Sequence, residues 1–137
     1  MLLGGVIGGV VFFLLGWLIY GMLLAGTMEG VACLRPHDAV LLPWIFIGNV
    51  FTGMFISYVY SRMGSVNSLG SGAMTGAIMG LMVALGAECL NYGTTTMMSE
   101  PTGIIYSALV AAVMWAVVGG VIGWWLGRGT KMAGASA

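Results

Sequence analysis

Charge is what this chain has least of. Its 137 residues include four Lys+Arg and four Asp+Glu, 6% of the total, where an ordinary soluble domain is about 25% charged. Eight charges cannot cover a water-facing surface, so a soluble globular enzyme is excluded. Clustered Lys and Arg are also missing, which removes the electrostatic footprint of a nucleic-acid binder. A single histidine and two cysteines leave no Ser/His/Asp or Cys/His arrangement to build, and no paired Cys/His spacing or H-E-x-x-H motif for zinc. Neither an enzyme nor a metal or other cofactor is expected. Disorder fails too, because disordered chains are poor in apolar residues and this one is 60% hydrophobic. A mean hydropathy of +1.06 leaves a polytopic membrane protein.

A membrane helix needs about 20 mainly apolar residues to cross about 30 Å of hydrocarbon. Four segments qualify, at 2–24, 39–60, 71–92 and 103–126, none interrupted by Lys or Arg. They are too long for strands, which typically run about 4–8 residues. The expectation is an all-α membrane protein: one transmembrane domain, a four-helix bundle with short loops and a C-terminal tail at 127–137. The first span lacks the positive flank of a signal peptide, and its apolar stretch exceeds the usual length of about 7–15 residues. It is therefore expected to be retained. With four spans, both termini and the middle loop share a side. That side holds Arg62, Arg128 and Lys131 against Arg35 on the other, so the termini are expected to be cytoplasmic.

Glycine is abundant, at 24 residues. Lipid supplies no hydrophobic drive between helices, so close backbone packing must hold them. Glycines four apart share a helix face: Gly4 and Gly8, with Gly5 and Gly9, in the first span; Gly72, Gly76 and Gly80 in the third; Gly119, Gly123 and Gly127 in the fourth. The first, third and fourth spans are expected to make the tight contacts and the second, rich in Phe, Ile and Val, to supply bulk. The string Gly-Gly-Val-Ile-Gly occurs at both Gly4–Gly8 and Gly119–Gly123, compatible with duplication or with low-complexity coincidence. Gly70–Gly76 has neither the spacing nor the context of a phosphate loop and reads as a loop entering a helix.

Few polar residues could carry chemistry. Glu88 lies near the outer hydrocarbon boundary of span three, and intramembrane acids are candidate functional groups. Asn91 and Tyr92 share its face; alternatively Glu88 reaches the interface or pairs with Arg35. Asn49, near the middle of span two, is expected to make a helix–helix hydrogen bond or to contact a solute. Thr52 and Ser57 can bond their own helix carbonyls. The outer loop gathers Glu29, Cys33, Arg35, His37 and Asp38; Asp38 is a good N-cap for span two. Cys33 and Cys89 fall on the same side, and a disulfide there is open if that side is oxidising.

The stretches Phe13-Leu-Leu-Gly-Trp-Leu-Ile-Tyr-Gly21, Gly48-Asn-Val-Phe-Thr-Gly53 with Tyr60-Ser-Arg62, and Asn91-Tyr-Gly-Thr-Thr-Thr-Met-Met98 resemble a group of small bacterial four-helix membrane proteins of unknown function. The resemblance implies four spans in a bacterial inner membrane and no activity. Gly48–Gly53 and Gly93–Thr96 are also similar to regions of small fluoride channels, which work as dimers. The chain departs from that pattern in span one, which has no arginine after its glycines, and after Thr96, where paired phenylalanines are missing. The expected function is a non-enzymatic packing or oligomerising subunit of a membrane complex. Its expected partners are lipids, which could include a bound one, and copies of itself or other membrane subunits. The alternative is a small ion or solute channel or transporter using Asn49 and Glu88.

Overall fold

The computed structural model of the chain describes residues 1–24, 26, 40–96 and 100–134, the last six without their side chains. Among the described residues there are four long helices. α1 (Leu2–Leu18) runs on into a π-helical segment (Ile19–Leu23); α2 spans Leu42–Met63, α3 Leu69–Thr94 and α4 Thr102–Gly134. All four are long and apolar enough to cross a membrane. This is the form lipid demands, because a helix satisfies its own backbone polar groups where no water can.

The ends follow local chemistry. α2 begins at Leu42 with Leu41 as its N-cap residue, three residues later than hydropathy alone suggests. A helix starting at Ala39 would need an N–H from Pro43, four residues on, to bond the Ala39 carbonyl, and proline has none. Asp38 is therefore not the N-cap; the N–H groups of Trp44 and Ile45 instead reach the Leu41 carbonyl at 3.1 and 3.3 Å. At the other end Gly64 takes a left-handed conformation (φ 66°) and closes α2 on the Tyr60 carbonyl, a C-cap suited to a residue without a Cβ. Ser68 and Ser71 then cap α3 reciprocally, each side chain accepting from the other's backbone N–H at 3.2 Å. Gly70–Gly76 lies within this capped start and the helix behind it. α4 continues past 126 to Gly134, because glycine and a basic residue weaken a helix without ending it.

Two hairpins, α1–α2 and α3–α4, join along α1 and α4, so the helices lie in the order α2, α1, α4, α3. α2 and α3, though consecutive, share little beyond one hydrogen bond from the Tyr60 hydroxyl to the Gly72 carbonyl (2.7 Å). The Ser57 hydroxyl donates to the Met1 carbonyl at 2.7 Å, and Gly127 lies against the Asn67 backbone. One end of the bundle thus gathers the start of α1, the α2–α3 turn and the last turns of α4. We call this the termini end, and the opposite one the far end.

Glycine sets the spacing. A Cβ on Gly72 would fall on the Gly119 carbonyl, and one on Gly76 on the Trp115 carbonyl. α1 divides its glycines between two neighbours: Gly4 and Gly8 face Trp125, Ile122 and Val118 of α4, while Gly5 and Gly9 face Met54 and Val50 of α2. α2 answers with Gly53, set against the Gly5 carbonyl and Gly9. The second helix therefore also packs backbone to backbone. The periodic reading overlooked it because Gly53 inserts between two glycines of another helix and needs no partner of its own four residues away. The small buried core comprises Ile56, Tyr60, Val66, Met114, Trp115, Val118 and Ile122. Phe12 stands edge-on to Trp115 and Phe13 to Phe46. At the termini end the Arg128 guanidinium lies 4.5 Å from the ring centre of Trp124, a cation–π contact. Trp44 is exposed near the start of α2, and Trp115 is buried in mid-α4.

Candidate functional site

The polar groups of the far end meet where α3 finishes and α4 starts. Glu88 is half-buried there. One carboxylate oxygen accepts from the Ser107 hydroxyl at 2.7 Å, and the other from the Asn91 amide at 3.4 Å. Asn91 reaches it because residues three apart on a helix are neighbours. Ser107 reaches it across the hairpin: Glu88 stands six residues before the end of α3 and Ser107 five after the start of α4, and antiparallel helices put such residues at nearly one depth. A carboxylate offers about four acceptor positions, so this pair of bonds leaves capacity unused. Among the described residues no basic side chain accompanies Glu88.

A third element brings aromatics. In the π-helical segment the Leu24 N–H bonds the Ile19 carbonyl five residues back, at 2.7 Å. That wider turn carries Tyr20, which lies within electrostatic reach of Glu88 and Tyr106. The segment forms the last turn of the helix, with Leu24 as its C-cap. Beside the tyrosines an open apolar groove of about 350 Å³ runs between α1 and α4, lined by Ile19, Leu23, Leu24, Tyr106, Leu109, Val110 and Val113.

The other candidates lie elsewhere. Asn49 donates to the Ile45 carbonyl of its own helix at 2.8 Å and makes no helix–helix bond among the described residues; a helical asparagine can reach back one turn for its acceptor. Thr52 does the same with Gly48 (3.0 Å). Ser57, by contrast, does not bond its own helix. Gly4 has no side chain to block it, and its hydroxyl crosses to Met1 of α1. Cys89 is exposed. Glu29, Cys33, Arg35, His37 and Asp38 lie outside the described residues, and with them the pairing of Cys33 with Cys89 and of Arg35 with Glu88. Among the described residues no three His, Cys, Asp or Glu side chains converge on a metal position.

Ser107, Tyr20 and Tyr106 are the members of this site that the sequence reading did not assign to it. Ser107 carried a signal, as a lone hydroxyl mirroring Glu88 across a hairpin. The tyrosines had none, since an interfacial tyrosine is ordinarily an anchor. Comparison with protein families, with characterised proteins and with solved structures finds no match.

Proposed function

We propose that this chain is a non-enzymatic integral membrane subunit that assembles with copies of itself or with other membrane proteins, its termini on the cytoplasmic side of a bacterial inner membrane. The observation that carries this reading is the incompleteness of the bundle. α2 and α3 flank the row without closing on each other, and Gly48 and Gly86, set well inside these two helices, have nothing within 4 Å of where a Cβ would stand. A second small-residue surface, lined by Leu69, Ala73, Ala116, Val117, Gly120 and Val121, opens on the α3–α4 hairpin. Small residues facing lipid forfeit packing that a second helix would recover. The orientation rests on Arg62, Arg128 and Lys131 at the termini end.

The mass of the full-length protein in nanodiscs or gentle detergent, with any co-purifying subunits identified, tests this. A stable multiple of the chain mass or a fixed partner is expected; a strictly monomeric, partnerless chain overturns it. The competing reading, a small channel or transporter, draws support from Glu88. Among the described residues it has no continuous polar path, since Asn49 turns an amide N–H to its own helix and Glu88 stands at one end. No flux through proteoliposomes is expected, whether the chain is wild type, Asn49→Ala or Glu88→Gln; flux that Glu88→Gln abolishes would favour the conduit.

A further inference from the structure

We infer that the far-end groove and the Glu88 cluster together form a binding site for one bilayer phospholipid with an ammonium headgroup. The argument is charge complementarity at one end and shape at the other. Glu88 keeps acceptor positions beyond those used by Ser107 and Asn91, and no described basic residue accompanies it. An ammonium donating to this carboxylate makes a charge-assisted hydrogen bond, about twice as strong as a neutral one. Tyr20 lies within electrostatic reach of the acid, Tyr106 lines the groove next in sequence to Ser107, and aromatic faces attract cations. Their hydroxyls, without hydrogen-bond partners among the described residues, are donors suited to the phosphate that follows the ammonium in such a headgroup.

The groove continues from Tyr106 to Val113 along α4. Seven residues at 1.5 Å each make about 10 Å of helix rise. It therefore leads from the headgroup level into the hydrocarbon, with an almost wholly apolar lining, as an acyl chain requires. A soluble cation would use the carboxylate and rings but not this descending furrow, so the occupant is assigned to the bilayer.

Native mass spectrometry of the full-length protein, offered phosphatidylethanolamine, phosphatidylcholine and phosphatidylglycerol with identical acyl chains, tests the inference. One phosphatidylethanolamine per chain is expected to be held in preference to the other two. Phosphatidylcholine has a cation that donates no hydrogen bond, and phosphatidylglycerol has no cation. Glu88→Gln is expected to lower that preference about tenfold, the scale of one charge-assisted hydrogen bond. Leu109→Trp fills the groove without touching the acid and is expected to lower retention similarly. Equal retention of the three lipids by the wild type overturns the site, as does a preference that survives either folded variant. Tetraphenylphosphonium is the soluble comparison: Glu88-dependent binding of this cation without selective lipid retention assigns the site to a water-borne ligand and overturns the lipid reading. If Glu88→Gln fails to fold, wild-type selectivity and Leu109→Trp decide. A monomeric chain that still selects the lipid would sink the assembly proposal and leave this inference standing.

Discussion

A methyl group added at Gly9 would sit 2.5 Å from the Val50 Cα and 2.9 Å from the Asn49 carbonyl. Those are backbone atoms, which move only if α1 and α2 part. At Gly8 the same methyl meets Cδ1 and Cγ1 of the buried Ile122 side chain, which is stiff but can yield without parting the two helices. Neighbouring glycines of one helix thus differ in what surrounds them. Gly9→Ala is expected to destabilise by about 1–3 kcal/mol, the usual cost of overpacking, and Gly8→Ala by clearly less. Gly48→Ala, with open space, should be neutral or stabilising by up to about 1 kcal/mol through helix propensity, and any larger loss would mark Gly48 as buried in an assembly. Unfolding titrations in mixed micelles check all three, and equal losses at Gly8 and Gly9 would contradict the geometry. Tyr60→Phe removes the bond to the Gly72 carbonyl at a cost of about 0.5–1.5 kcal/mol, read in the same titration.

At the scale of elements, Pro43 decides where α2 begins. Pro43→Ala restores the missing donor, and α2 is expected to lengthen toward Ala39 by up to a turn. Helical Cα chemical shifts at Val40 and Leu41, with a slowly exchanging amide at the substituted position, would show it, since the first N–H groups of a helix stay unbonded; unchanged shifts would mean that another feature stops the helix. Hydropathy made the four helices legible because lipid permits little else, whereas helix ends answer to single residues. Counting apolar residues carries span two back to Ala39, and only the hydrogen-bond requirement at Pro43 brings it forward. The candidate site was partly legible in the same way. Glu88 and Asn91 stand on one helix, so their meeting follows from spacing alone. Ser107 needed the hairpin register, and Tyr20 needed the π-helical segment, which no residue in Ile19–Leu23 announces. Asn49 and Ser57 reversed their expected roles because a polar side chain in a helix chooses between its own backbone and a neighbour's. That choice depends on whether the facing residue is small enough to admit it, as Gly4 is for Ser57.

For the whole molecule, the row α2, α1, α4, α3 gives the two outer helices one neighbour for most of their length. An assembly that covers the α3–α4 face would close over Ala73, Ala116 and Gly120. Ala116→Leu puts a branched side chain into that face and is expected to weaken association by about 1–3 kcal/mol while the hairpin stays folded. Mass distributions across a dilution series in nanodiscs or detergent measure it. An unchanged distribution would move the interface to the Gly48 face of α2 or the Gly86 face of α3.

The π-helical segment has a consequence for how the chain can change over evolutionary time. An extra residue in one turn shifts the angular phase of everything after it relative to everything before. The stretch of α1 holding Gly4–Gly9, fixed by two neighbouring backbones, is thereby uncoupled from the stretch that presents Tyr20, Leu23 and Leu24 to the far end. Side chains there can be retuned, or the wide turn tightened, without re-registering the glycine contacts. One helix thus carries a packing half and a recognition half that can vary independently.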